Sequence, residues 1–373
     1  MLTRDGCLKR RDRLWRKLPG HIQWVLVTDP RHVTYFSGFW VNPVSFSFGE
    51  RAFLYLSRNG NALLLADNFT LGSAGSSYFV DDELAGTWYD KLHEVRNRDH
   101  VLLDLLSSLP VSATMDQGIL ETEWLPQAAP IRGREEYSLG TAVRELRRRK
   151  EEDELQLLAR CIRAGDAGHE RAREIVKPGV TEREVYLEVQ RRALEELGAP
   201  GVVYGDFRAV NAGNPKQGGL PTDYVLREGD LFILDYSVSL GGYRSDTTNT
   251  IAVSGPTDEQ QKLFDDCVNA LKAGEEKLIP GTPAKDIFAA AEQYFLNQGY
   301  EPSPPRHMGH GLGLGHPEPP IFVSESSDVI APGDVVTLEP ARYIPGVGGV
   351  RVEHNYLITD DGLRQLSGHR LAL

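Results

Sequence analysis

Apolar residues in the first third of the chain fall into short runs. Those at 22–28, 52–56 and 62–66 are each long enough for one strand. Turn signals separate them, Asp29-Pro30 after the first and Asn59-Gly60-Asn61 between the other two. Helical stretches alternate with these runs, which predicts a mixed α/β region to about residue 135. From about 135 to 176 the pattern turns helical and highly charged, almost continuously so over 144–154. Such a run reads as a solvated helix face, here the connector into a second domain. Lys177-Pro178-Gly179 then breaks the helices. The boundaries expected are a smaller domain over 1–137 and a larger one over 138–373.

The larger part contains a concealed repeat. Pro178-Gly179-Val180-Thr181 with Glu184-Val185 is similar to Pro280-Gly281-Thr282-Pro283 with Asp286-Ile287, at an offset of 102 residues. Gly229-Asp230, ending in Leu234-Asp235, matches Gly333-Asp334, ending in Leu338-Glu339, at offset 104. The segment from Gly241-Gly242 to Asp246 matches that from Gly348-Gly349 to Glu353 at offset 107. Any one match could be coincidence. Three in the same order, with a slowly drifting offset, argue for an ancient duplication, each half reading helix, helix, β-hairpin.

Each repeat delivers two carboxylates, and hairpin geometry makes them neighbours. If Gly241-Gly242 is a two-residue turn, Asp235 pairs with Thr248 and Asp246 with Ser237. Asp235 and Asp246 are then diagonal neighbours on one face, about 7–8 Å apart at the backbone, close enough to meet one ion. The second hairpin is expected to place Glu339 and Glu353 likewise. Four carboxylates at one centre repel and raise one another's pKa, for which divalent cations are the usual remedy. A carboxylate that ends an apolar strand, as Asp235 ends Leu231–Leu234, is costly to bury unpartnered.

The strongest single signal is the segment from His307 to Pro320, with Gly309, Gly311, Gly313 and Gly315 among His307, His310 and His316. Neither a P-loop nor a dinucleotide fingerprint fits its spacing, while glycines let the backbone run close to a ligand. His310 is read as a metal ligand. His316 and His307 are open to roles as ligand, proton shuttle, supporting group or rim packing. An oxygen-rich set with one imidazole suits Mn²⁺ best, with Co²⁺, Fe²⁺ or Zn²⁺ also compatible. Five ligands suit two ions about 3.5–4 Å apart better than one.

Composition narrows the partners. The chain has 373 residues, 40% apolar and 25% charged, with a net charge of −12. Residues 1–140 carry 15 Lys/Arg against 17 Asp/Glu, and the remainder 26 against 36. Acidity concentrated in the second part argues against nucleic-acid or anionic-membrane partners. Cys7, Cys161 and Cys267 are far apart and odd in number, which predicts neither a disulfide framework nor a thiolate metal site and favours a reducing, cytoplasmic setting. No apolar run approaches the roughly 18 residues of a transmembrane helix, and the charged N-terminal stretch has no signal core. His21, His32, His93 and His100 lack paired spacing and read as structural or surface residues.

These motifs resemble the pita-bread metallopeptidases: Xaa-Pro aminopeptidase, prolidase and, more distantly, methionine aminopeptidase. The resemblance covers about 225 C-terminal residues. It rests on Leu234-Asp235-Tyr236, Ser245-Asp246-Thr247-Thr248-Asn249-Thr250, Gly309-His310-Gly311-Leu312-Gly313, Thr337-Leu338-Glu339-Pro340 and Val350-Arg351-Val352-Glu353. The N-terminal part is similar, more loosely, to the creatinase/prolidase N-domain in the stretch Val33-Thr34-Tyr35-Phe36-Ser37-Gly38-Phe39. The fold implied is α+β: a pita-bread domain with an internal pseudo-two-fold repeat, preceded by a smaller α/β domain. The resemblance implies that Asp235 chelates one metal, Asp246 and Glu353 bridge two, His310 binds one, and Glu339 is both ligand and general base. It implies that Arg351 orients Asp235, that Tyr204 joins that network, and that the chain is a homodimer acting on a small peptide or amide.

Two positions depart from the family pattern. The histidine that usually precedes the Gly-x-Pro-Thr-Asp-like stretch is replaced by Gly218, before Gly219-Leu220-Pro221-Thr222-Asp223. The family's second histidine falls at Pro317, one residue after His316. His316 is therefore the expected catalytic substitute, reached by a local shift. The leading expectation is a dinuclear Xaa-Pro peptidase. A creatinase-like or other non-peptide C–N hydrolase, a peptidase homologue of altered specificity, and a non-enzymatic module on the same fold are the alternatives. The complete ligand set speaks against the last.

Overall fold

The computed structural model describes residues 1–41, 50–73, 77–109, 115–134, 136–301 and 307–373. Glu135, where the charged connector was expected to begin, lies outside them. The chain forms two compact units, Met1–Arg147 with Glu151–Glu154, and Arg148–Lys150 with Leu155–Leu373.

In the first unit the apolar runs become strands. The elements are α1 (Arg4–Lys17), β1 (Trp24–Val27), α2 (Pro30–Ser37), β2 (Phe53–Ser57), β3 (Ala62–Asp67), α3 (Asn68–Gly72), β4 (Asp82–Gly86), α4 (Arg98–Ser107), β5 (Gly118–Leu120) and α5 (Leu139–Arg148). The five strands form one sheet in the order β4-β3-β2-β1-β5, with β1 parallel to β5 and β3 parallel to β4. All four residues of β1 are buried, as a continuous apolar run near the middle of a covered sheet should be. The Asp29-Pro30 signal proves to be a helix start: Asp29 caps α2 through the Arg31 N–H, Pro30 takes the first turn, and Gly38, at φ 75°, ends it. His32 is buried and bonds Glu121 at 2.5 Å, a structural role. The unit runs ten residues past the boundary expected at 137, because α5 packs within it: Tyr35 Oη and Arg13 both donate to the Leu146 carbonyl.

The second unit holds α6 (Glu152–Ile175), α7 (Glu182–Leu197), β6 (Val202–Val210), β7 (Leu231–Leu240), β8 (Tyr243–Arg244), β9 (Thr247–Ala252), α8 (Asp258–Glu275), α9 (Ala284–Asn297), β10 (His310–Gly311), β11 (Glu318–Ile321), β12 (Val335–Leu338), β13 (Ala341–Ile344), β14 (Gly348–Arg351), β15 (His354–Thr359) and β16 (Gly362–Gln365). Its sheets run β6-β7-β8 with β9 also on β7, β11-β10-β12-β15-β16, and β13-β14. A core of Leu263, Phe264, Ile287, Phe288 and Phe295 from α8 and α9 packs on Val336, Leu338, Val350, Val352 and Tyr356. No helix among the described residues is long and apolar enough to cross a membrane.

The repeat is present in the backbone as well as in the sequence. Thr181 and Pro283 occupy the cap positions of α7 and α9, and each bridges an equivalent downstream residue, Val225 and Val329. Gly179 donates to Leu226 at 3.0 Å, and Gly281 to Ile330 at 2.8 Å. Val253 donates to Asp230 at 3.0 Å, and Ile358 to Asp334 at 2.9 Å. Gly179 and Gly281 both have φ near +90°, a conformation in which glycine avoids a side-chain clash.

Candidate metal centre

The first hairpin follows the expected register. Gly241 and Gly242 turn with positive φ, and Asp235 pairs with Thr248. Pairing on either side, Ser239 with Arg244 and Tyr236 with Thr247, keeps Asp246 opposite Ser237. The Ser245 N–H reaches the Val238 carbonyl at 3.0 Å. The Asp246 N–H points to Asn355 Oδ1 at 3.4 Å, and its carbonyl accepts from Asn355 Nδ2. The second hairpin differs from the diagonal expectation. Leu338 pairs with His354, and Ala341 with Arg351. Glu339 and Glu353 therefore stand at matched positions, in the gap between two ladders. Pro340 occupies that gap and has no N–H for a ladder bond.

All five expected ligands converge. Oxygens of Asp235, Asp246 and Glu353 lie within 4.8 Å of one another, and so do ligand atoms of Asp246, His310 and His316. His310 Nε2 stands 3.5 Å from Asp246 Oδ2 and 3.4 Å from Glu339 Oε1. Its Nδ1 faces the Gly311 carbonyl at 3.0 Å, which leaves Nε2 for the centre. Glu353 is clasped by the hydroxyl of Thr248 at 2.5 Å and by that of Thr337. His316 Nε2 meets Asp246 Oδ2 at 2.5 Å, so the chain brings His316 to the centre although it lies one residue early. His307 is half-exposed, with Nδ1 3.6 Å from Glu339 Oε1.

Arg351 bonds Asp235 and also donates to Tyr343 Oη at 2.7 and 3.1 Å. Tyr204 does not join this network: it is 62% exposed. The β6 residue that reaches Arg351 is Asp206, at 3.6 Å. The reason is register, since Asp206 lies opposite Asp235 while Tyr204 lies opposite Ser237, two residues further out. Asp206, Tyr343, Thr337 and Asn355 are the supporting residues that sequence reasoning missed. Only Asp206 had a usable signal, as an acid on the strand beside β7.

Electrostatics shows what the cluster lacks. Burial, then the charges of Asp246 and Asp235, push the Glu339 carboxyl well above its usual range. Glu353 is raised by burial and by Asp246 and Glu339. Asp235 is pushed up to about 6 by burial, with Asp246 and Asp206 adding to it and Arg351 opposing. Burial would raise Asp246 too, but the hydrogen bond and charge of His316 outweigh it and hold Asp246 low. Three of four carboxylates thus favour a proton in place of missing positive charge. Oxygen donors with one or two imidazoles, at ligation distances and short of positive charge, fit divalent cations.

A cluster of carboxylates and histidine carried on duplicated hairpins defines a metallohydrolase centre on the pita-bread fold. Residues 156–360, more than half of the chain, match metallopeptidase family M24, and the chain belongs to that family. An uncharacterized peptidase of Staphylococcus aureus (strain bovine RF122 / ET3-1) is 29% identical over 355 residues, covering 91% of this chain and 93% of its own. Among solved structures, a prolidase from Pyrococcus horikoshii OT3 superposes with TM-score 0.75 at 23% identity, over 98% of this chain and 99% of that one. An Xaa-Pro dipeptidase from Bacillus anthracis does so with TM-score 0.76 at 21% identity, over 98% and 99%. These likenesses span both compact units and establish the fold.

Proposed function

We propose that the chain is a dinuclear metallopeptidase that cleaves the amide bond before proline in short peptides. The observation that carries this reading is the position of Asp246, which belongs to both groups of close ligand atoms and so can be shared by two ions. Asp235, Asp246, His310, Glu339 and Glu353 would hold them, with Mn²⁺ favoured by the donor set. When bound, the two cations polarise a carbonyl and lower the pKa of water.

The chain's own groups account for the proton movements. Glu339 has a carboxyl raised by burial, which suits it to take a proton from the attacking water and return it to the leaving nitrogen. Glu353, held by two threonine hydroxyls, keeps a fixed geometry. His316, bonded to Asp246 and with its pKa raised by that bond against the opposing effect of burial, stands on the other side of His310 as a second proton carrier. A cytoplasmic homodimer completes the reading. The names of the solved neighbours, prolidase and Xaa-Pro dipeptidase, support the choice of proline. The glycine at 218 and proline at 317 favour the alternative, a non-peptide C–N hydrolase on the same centre.

The test is hydrolysis of Ala-Pro and Ala-Pro-Ala after chelation and Mn²⁺ reconstitution, beside Glu339→Ala. Metal-dependent cleavage that falls by about 10²-fold or more in the variant is expected. No cleavage by a protein that binds two ions per chain would overturn the proline assignment.

A further inference from the structure

The β6–β7 loop is pinned from two sides. Toward β6, Asp206 Oδ1 accepts the Gly219 N–H at 2.5 Å, Arg208 Nη1 donates to the Gly218 carbonyl at 3.3 Å, and Arg208 Nη2 bonds Gln217. Toward the β13–β14 turn, the Ala212 carbonyl accepts from Gly346 at 2.9 Å. The Pro215 carbonyl presses on Gly349 so closely that a Cβ there would come within 2.0 Å of it. Asn211 and Asn214 close the loop with reciprocal backbone bonds of 3.1 Å.

This loop carries Lys216, whose Nζ lies 5.4 Å from the centre of the Tyr343 ring. Tyr343 in turn receives Arg351, and Arg351 holds Asp235. Lys216 thus sits at the rim of the carboxylate cluster, on the side of Glu339 and His307. Its charge is felt at His307, whose pKa is lowered by burial first, then by His310, Arg351 and Lys216. Lys262 lies over Tyr300 at the same 5.4 Å but also pairs with Asp266 at 2.6 Å. Among the described residues, no carboxylate forms such an ion pair with Lys216.

Lys216 is placed to meet an anionic substrate group. Other cationic side chains of the cluster are already engaged: Arg351 holds Asp235, and His316 is bonded to Asp246. Lys216, with no such carboxylate partner among the described residues, stays available to a substrate anion. In an Xaa-Pro dipeptide the free carboxylate belongs to the residue just beyond the scissile bond. Each further residue moves it about 3.5 Å away. A cation–π contact at an exposed site is weak, so a flexible lysine can turn from the ring to a carboxylate.

We propose that Lys216 is a specificity-determining residue that holds the C-terminal carboxylate of a dipeptide substrate. This rests on the peptidase reading above. The experiment compares Ala-Pro, its C-terminal amide Ala-Pro-NH₂ and Ala-Pro-Ala in wild type, Lys216→Met and Lys216→Arg, all Mn²⁺-reconstituted. In Lys216→Met the preference for acid over amide, as a ratio of kcat/KM, falls about tenfold, the size of one charge-assisted hydrogen bond. The loss lies in KM, and Lys216→Arg retains most of the preference. Calorimetric titration of Ala-Pro into metal-free wild type and Lys216→Met gives a readout independent of turnover, and binding weakens in the variant. If wild type cleaves the peptides but the acid-to-amide ratio is the same in Lys216→Met, Lys216 is not the carboxylate anchor and the peptidase reading stands. If wild type cleaves none of the three, the proline assignment falls and the role of Lys216 falls with it.

Discussion

Removing cations from this centre should make part of the protein's stability fall as pH rises. In the metal-free state Asp235 titrates near 6, against 3.8 for an ordinary aspartate. Between those values the folded chain binds more protons than the unfolded chain, and stability decreases with pH wherever that holds. A little over two decades, at about 1.36 kcal/mol each, gives on the order of 3 kcal/mol lost from Asp235 between about pH 4 and 6. Glu339 and Glu353, raised well above their usual range, extend the loss in the same direction to higher pH. Urea denaturation of the chelated protein at pH 4.5, 5.5, 6.5 and 7.5 measures the total, and Asp235→Asn isolates one share of it. The decline between pH 4.5 and 6.5 should be shallower in Asp235→Asn by about 2 kcal/mol, because part of the loss already lies below pH 4.5. Reconstitution with Mn²⁺ should reverse the trend, because bound ions stabilise the fold by mass action and the ligands must be deprotonated to bind them. Identical slopes for chelated wild type and Asp235→Asn would refute the idea that Asp235 is a buried, charge-starved ligand.

Two further outcomes follow from the geometry. Arg351→Met frees Asp235 from its guanidinium and should weaken metal affinity by about 10–100-fold. Competition with a chromogenic chelator reads this, and unchanged affinity would show that Asp235 needs no orienting partner. Gly309→Ala places a Cβ about 2.0 Å from the Thr337 carbonyl, at a φ of 132° that other residues rarely adopt. It should lower stability by more than about 3 kcal/mol, seen as a fall in melting temperature. A variant that melts like wild type would mean that β10 has room the structure does not show.

The convergence of the five candidate ligands was legible because each ends or follows a motif whose local structure is dictated by its own residues. Gly241 and Gly242 force a tight turn, and that turn alone fixes Asp235 against Thr248. The duplication was legible for the same reason, since its matched segments are glycine turns and helix starts. Sequence reasoning went astray where the backbone leaves regular pairing. Asp246 keeps its place opposite Ser237, but its backbone is held by Asn355, more than a hundred positions away, and nothing local to Ser245-Asp246 announces that. Tyr204 was misplaced for a related reason, because the network contact depends on how β6 registers against β7. A slip of two residues keeps the face but changes which side chain reaches Arg351. Thr337 and Thr248 could not be singled out, as one of many threonines becomes a carboxylate clasp only once the two hairpins meet.

The two halves of the duplication are alike in backbone and unequal in chemistry, and that inequality makes the centre usable. A symmetric site would present two equivalent pairs of acids. Here the first half contributes short aspartates and the second longer glutamates. Asp246 and Glu339 are the pair that His310 approaches, at 3.5 and 3.4 Å. The two acids are tuned apart. Asp246 is held anionic by His316, and Glu339 is raised by burial and by the charges of Asp246 and Asp235. Divergence in pKa between neighbouring acids is what separates a permanent ligand from a proton carrier. The same reasoning assigns Glu353 to the structural side, although its pKa is also raised: two threonine hydroxyls fix it and it is 1% exposed. On the proposed function, Glu339, 9% exposed and next to half-exposed His307, would be the carboxylate from which a proton leaves the centre.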